Sequence, residues 1–142
     1  MLAIVCPGQG SQTPGFLEPW LELPGIAEAL KEWSEATKVD LVAHGTTSDE
    51  ETIKDTAVAQ PLIVAAGLLA AQALGTDKLD PQGWMTAGHS VGEITAAGLA
   101  SVLSPVDALE FVRVRAQGMA SAAAMEPTGM AAVLGGDQDE VT

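Results

Sequence analysis

Trp84-Met85-Thr86-Ala87-Gly88-His89-Ser90-Val91-Gly92-Glu93 is the stretch that decides how this chain is read. Ser90 has one glycine two residues before it and another two residues after it, the GxSxG spacing. Neither glycine brings a Cβ into the turn, so the backbone can bend sharply there and push the serine hydroxyl into the open. Trp84 to Ala87 reads as a short buried strand and the alanine-rich run from Val91 to Ala100 as a helix. Strand, turn and helix thus come in the order that a nucleophile elbow needs. A plainer reading stays open beside it. Ser90 and Glu93 also match the S-x-x-E capping box, in which the serine only caps a helix.

Toward the N-terminus, Leu2 to Cys6 is an unbroken apolar run, the pattern of a parallel strand covered on both faces. Pro7 to Gly15 follows, with three glycines, two prolines and two glutamines, an irregular loop whose backbone N–H groups can point at a ligand. It has no lysine after the glycines and no GxxxxGK spacing, which argues against a nucleotide loop. Leu23 to Lys38 reads as an amphipathic helix, with Pro24 near its first turn and Ile26, Ala29, Leu30 and Trp33 on one side. Ser48 is expected to cap a short acidic helical turn, and Pro61 to Leu74 to form a buried helix stopped by Gly75. Beyond the elbow, Ser104-Pro105-Val106-Asp107 is a strong helix start, and the helix should run to about Ala123. Met130 to Leu134 reads as a last strand, and Asp137 with Glu140 begins another helix.

Composition bounds the partners. The chain has 142 residues, 47% hydrophobic and only 18% charged, as expected of a globular domain with a buried core. Its formal net charge of -13 disfavours nucleic acid and anionic membrane surfaces, both of which are polyanionic. Cys6 is the only cysteine, so no internal disulfide can form, and a reducing cytoplasm is expected. The N-terminus lacks a basic n-region and its apolar run breaks at Pro7, unlike a secretory signal. No charge occurs from Ala57 to Thr76, yet Gln60, Pro61, Gln72 and many alanines make a buried helix the better reading than a membrane span. Only three strand candidates are present, too few to cover an elbow strand on both sides, so the chain reads as the N-terminal portion of something longer.

A serine hydroxyl becomes a useful nucleophile when a base takes its proton. Of the two histidines, His89 should point away from Ser90, and His44 reads as a surface loop residue, so the base is expected outside these residues. Arg113 and Arg115, two apart on one helix, must face different ways. Arg113 lies beside Glu110 and Gln117 on a polar face, whereas Arg115 neighbours Phe111, Val112 and Met119. An arginine on an apolar face calls for an anionic partner. A substrate carboxylate, a structural acid, or snorkelling of the head group would each answer that need.

Taken in order, Pro7 to Gln12 (PGQGSQ), Gln60-Pro61, Gly88 to Glu93 (GHSVGE) and Arg115 with Met119 resemble the acyltransferase family of fatty-acid and polyketide synthesis, the malonyl-CoA:acyl carrier protein transacylases. Ala116 stands where that family usually has glycine. The resemblance implies an α/β fold: part of a three-layer, α/β-hydrolase-like large subdomain over residues 1–127, then the start of a small ferredoxin-like subdomain over 128–142. It also implies a catalytic Ser90 that attacks malonyl-CoA and passes the malonyl group to the phosphopantetheine thiol of acyl carrier protein. The backbone N–H groups of Gln9 and Val91 would form the oxyanion hole. Arg115 would hold the free carboxylate, with His89 and Gln60 also substrate-binding, and Val91 favours malonyl over methylmalonyl. No metal and no cofactor beyond the coenzyme A thioester substrate are implied; the family's histidine lies in the downstream part of the same enzyme. A serine hydrolase or thioesterase of related fold, or a non-catalytic half that needs a complementary chain, are the alternatives.

Overall fold

A computed structural model of the chain describes residues 1–80 and 82–125, with Gly135 and Gly136. The strand expected at Met130 and the helix expected at Asp137 lie outside the described residues, as does the subdomain expected over 128–142 apart from those two glycines. Two parallel strands, β1 (Leu2–Cys6) and β2 (Trp84–Gly88), pair in register from Leu2 opposite Trp84 to Cys6 opposite Gly88. Between them come α1 (Ile26–Thr37), α2 (Leu41–Thr46), α3 (Glu50–Lys54) and α4 (Thr56–Leu74), and after them α5 (Gly92–Leu99) and α6 (Pro105–Ala123).

Helix α4 is the centre of the core. Its sequence is apolar on every side because neighbours surround it: α6, α5, α2, α3 and α1 all pack against it. Leu62, Val64 and Leu69 are fully buried, and each such side chain contributes about 1.5–3 kcal/mol of transfer free energy. By length and composition α4 could cross a membrane, but more than half of its most apolar window is buried against these helices, as a core helix requires. It approaches α5 closely at Gly67, where a Cβ would strike the Thr95 side chain. Thr95 is buried there, and among the described residues its hydroxyl has no hydrogen-bond partner.

Several boundaries differ from those expected of the sequence. Helix α1 starts at Ile26 rather than Leu23, because Gly25 takes a left-handed φ of +80° that cuts Leu23 and Pro24 off from the helix. Its buried residues are Ile26, Leu30, Trp33 and Thr37; the first three lie on the predicted stripe, whose other member, Ala29, is half-buried. Asp49, not Ser48, caps α3: its carboxylate accepts from the Thr52 N–H, and that bond lowers the Asp49 pKa. Ser48 instead meets His44, which sits in α2 rather than in a loop. Helix α4 begins five residues before Pro61, capped by Asp55, and carries the proline in its interior. Its end at Gly75, with φ +65°, is as expected.

The sheet departs most from expectation. Rather than being covered on both faces, β1 and β2 turn Ala3, Val5, Met85 and Ala87 outward, with Val5 72% and Met85 53% exposed. Alternation explains which residues these are, since paired residues Ala3 with Met85 and Val5 with Ala87 share one face. Ile4, Cys6 and Thr86 lie on the other face, toward α5. Among the described residues nothing covers the first face.

The start of α6 matches the sequence. Ser104 Oγ accepts from the Asp107 N–H at 3.1 Å, with Pro105 in the first helical position. Replacing Ser104 with Ala is expected to lower stability by about 1 kcal/mol in urea unfolding, and Ser104→Asp to preserve it.

Candidate active site

The elbow begins where β2 ends. The N–H of His89 donates to the Cys6 carbonyl at 3.0 Å, extending the strand pairing by one residue before the chain turns into α5. A Cβ on Gly88 would collide with the backbone of Gly92 and Glu93, and one on Gly92 with the carbonyls of Cys6 and Pro7. Backbone cannot swing aside as a flexible side chain can, so both positions require glycine. Between them Ser90 adopts φ +55°, a left-handed conformation that costs a residue with a Cβ roughly 1–2 kcal/mol. Val91 holds the turn from inside, fully buried in the core, while Ser90 stays exposed.

This geometry argues against the capping reading of the GxSxG stretch. Helix α5 has no side-chain cap at its start. The Ser90 hydroxyl instead accepts from Arg115 Nη2 at 3.2 Å, across 25 residues of sequence. Arg115 Nη1 donates to Gln60 Oε1 at 2.6 Å. Gln60 is only 1% exposed, and its Nε2 donates to Gln9 Oε1 at 3.4 Å and reaches Met119 Sδ at 3.3 Å. Four residues of the sequence reading, Gln9, Gln60, Ser90 and Arg115, therefore form one hydrogen-bonded row. Ser90 and Arg115 open into a cleft of about 350 Å³ whose other walls include Glu93, Ile94, Leu103 and Phe111.

Electrostatics give Arg115 its character. Its partner inside the protein is a neutral amide, and among the described residues the one ion pair is Lys54 with Glu50 on the surface. The guanidinium thus reaches the cleft with no carboxylate paired to it, leaving a partly sheltered positive charge beside an exposed hydroxyl. Arg113 behaves as its polar face predicted, donating to Gln117 at 3.3 Å.

The other candidates sort clearly. The His89 ring lies over Gly8, so close that a Cβ there would collide with it, and no hydrogen bond joins it to Ser90. His44 is taken up by Ser48 at 2.9 Å. Arginine cannot accept a proton, so among the described residues no base is bonded to Ser90. Cys6 is no rival nucleophile: burial pushes its thiol pKa up, against a smaller lowering by its hydrogen bond with Thr86, and keeps it protonated. Among the described residues the backbone N–H groups of Gln9 and Val91 make no hydrogen bond, and both belong to segments that meet at the elbow.

A comparison with protein families gives a match to the acyl transferase domain over residues 3–141. The chain belongs to this acyl transferase family. It is 54% identical over 142 residues to the malonyl CoA-acyl carrier protein transacylase of Mycobacterium tuberculosis, covering 99% of this chain and 47% of that protein. Among solved structures, the crystal structure of MCAT from Mycobacterium tuberculosis superposes with a TM-score of 0.91 at 53% identity, over 99% of this chain and 47% of the other. A type II polyketide acyl-carrier protein in complex with its malonyl-transacylase gives 0.73 at 32% identity, over 85% and 39%. The chain therefore spans about half the length of the curated relatives it matches. The mixed α/β arrangement, helices with a small parallel sheet, is that of this acyl transferase family.

Sequence reasoning missed Thr56, whose Oγ1 accepts from Gln9 Nε2 at 3.2 Å. The signal was present, since Thr56 lies four residues before Gln60 and so on the same side of α4. The strain at Ser90 is testable without any substrate: Ser90→Gly is expected to be about 1 kcal/mol more stable than Ser90→Ala in urea unfolding. Equal stability of the two variants would mean that the left-handed turn carries no strain.

Proposed function

We propose that this chain carries the nucleophile and the carboxylate-binding arginine of a malonyl-CoA:acyl carrier protein transacylase. The observation that carries the reading is the Arg115 guanidinium, unpaired with any carboxylate among the described residues and 3.2 Å from the Ser90 hydroxyl. A malonyl group has both features that such a site recognises, a reactive thioester carbonyl and a free carboxylate at its other end. Guanidinium and carboxylate match as two parallel hydrogen bonds.

In the proposed sequence, Ser90 Oγ attacks the thioester carbonyl of malonyl-CoA as its proton passes to a base. The oxyanion that forms accepts from the N–H groups of Gln9 and Val91; loss of one such donor typically lowers the rate by about 10²- to 10³-fold. The carbon–sulfur bond then breaks, coenzyme A leaves as its thiol, and malonyl-Ser90 ester remains. The phosphopantetheine thiol of acyl carrier protein attacks that ester by the same route, and Ser90 regains its proton. Arg115 holds the carboxylate throughout, Gln60 acts on it through Arg115, and His89 over Gly8 borders the acyl group. The reaction uses no cofactor apart from its thioester substrate.

The reading has this chain work with further polypeptide of the same enzyme, which supplies the base and a cover for Val5 and Met85. Residues 1–127 would then be part of an α/β-hydrolase-like large subdomain, and 128–142 the start of a ferredoxin-like small one. The 54% identity to a protein described as malonyl CoA-acyl carrier protein transacylase supports substrate and acceptor alike. The reduced, buried Cys6 fits a cytoplasmic enzyme.

Three outcomes are expected of the full-length gene product. Arg115→Ala lowers kcat/KM for malonyl-CoA by at least about 100-fold but leaves acetyl-CoA much less affected; equal losses would make Arg115 structural. With acyl carrier protein present, malonyl appears on the carrier rather than as free malonate, which mass spectrometry of the carrier distinguishes from hydrolysis. Ser90→Ala abolishes both the malonyl-enzyme and the transfer.

A further inference from the structure

We propose that Thr56 is a positioning residue for this site: with Gln60, one helical turn later, it clamps the carboxamide of Gln9 and so sets the loop that carries the Gln9 N–H. The inference rests on the malonyl-transfer reading for the role of that N–H, and on hydrogen-bond geometry for the clamp itself. Gln9 Nε2 donates to Thr56 Oγ1 at 3.2 Å and to the Lys54 carbonyl at 3.4 Å, while Gln9 Oε1 accepts from Gln60 Nε2 at 3.4 Å. Both donors and the acceptor of the carboxamide are thereby engaged by residues at the junction of α3 and α4. Gln12 ties the same loop down a second time, donating to the Ile53 carbonyl at 3.0 Å.

The polarity of this row is dictated from both ends. Arg115 can only donate, so Gln60 must turn Oε1 toward it and Nε2 toward Gln9. The Lys54 carbonyl can only accept, so Gln9 must turn Nε2 toward it and Oε1 toward Gln60. The two requirements agree at the Gln9–Gln60 bond, which has one donor meeting one acceptor. A row that satisfies itself in a single orientation holds the amides still, and bonds arranged head to tail reinforce one another. One face of α4 thus sets two parts of the site together. Thr56 and Gln60 hold the loop bearing the Gln9 N–H, and Gln60 holds the arginine that faces Ser90.

Thr56 and Gln60 should then fail differently. Thr56→Val keeps the shape of the side chain and removes the acceptor, loosening the loop without touching Arg115. Gln60→Leu leaves Arg115 Nη1 without its acceptor as well. In the full-length gene product, the rate at which a fluorophosphonate probe labels Ser90 reports the nucleophile and its oxyanion donors with no malonyl group involved. Thr56→Val is expected to slow this labelling about five- to tenfold, the loss of one hydrogen bond's worth of positioning. It slows acylation by malonyl-CoA and acetyl-CoA by the same factor, and Thr56→Ser restores both. Gln60→Leu lowers the malonyl-to-acetyl ratio in addition. Unchanged labelling in Thr56→Val, or a Thr56→Ser variant as slow as Thr56→Val, overturns the clamp. Wild-type protein that takes the fluorophosphonate but no malonyl group overturns the malonyl reading instead, and the labelling comparison still decides the clamp.

Discussion

Gly92 lies against the carbonyls of Cys6 and Pro7 with no room for a side chain between them. That contact brings the end of β1 and the loop after it onto the turn that follows β2. It is reinforced by the His89 N–H on the Cys6 carbonyl and by the His89 ring over Gly8. With the backbone so constrained on both sides, the residue between the glycines is driven to φ +55°, and its side chain has nowhere to go but outward. Val91 goes inward at the same moment and is buried. An exposed hydroxyl and a buried valine are thus two results of one packing contact.

Helix α4 contributes in two ways that its sequence mixes together. Most of its length is apolar on all sides and serves as the core around which the other helices gather. Its first turns carry Thr56 and Gln60, which face the N-terminal loop and Arg115 instead. A buried glutamine is a liability unless its amide is satisfied, and here the arginine and the neighbouring glutamine satisfy it. Helix α6, which packs on α4 more extensively than any other element does, brings Arg115 within reach of Gln60 and then of Ser90. The scaffold helices α4 and α6 therefore also carry part of the site, Thr56, Gln60 and Arg115.

The two-stranded sheet has a different status. Its α5-facing side is packed, while Val5 and Met85 on the other side are bare. The alternation that was legible in neither strand as sequence becomes visible only once the register is known. Leu2 to Cys6 and Trp84 to Ala87 both read as buried runs, because apolar residues occur on both of their faces. The same exposure fits an acyl transferase domain whose relatives are about twice as long.

Local rules were enough for the elbow, the Ser104 cap, the Gly75 stop and the apolar stripe of α1, since each depends on residues within a few positions of one another. They went astray at Asp49, where Ser48 beside it could equally cap the helix, at Gly25, whose left-handed φ cut off Leu23 and Pro24, and at Asp55, which starts α4 five residues before Pro61. By itself, the sequence determined that a serine sits on a strained strand-to-helix turn and that an arginine lies on an apolar helix face. Only the tertiary structure decided that these two meet, that Gln60 rather than an acid supports the arginine, and that Thr56 belongs with Gln9. The reason is distance along the chain: Ser90 and Arg115 are 25 residues apart, Gln60 and Arg115 55, and Gln9 and Thr56 47, and no periodicity spans such separations.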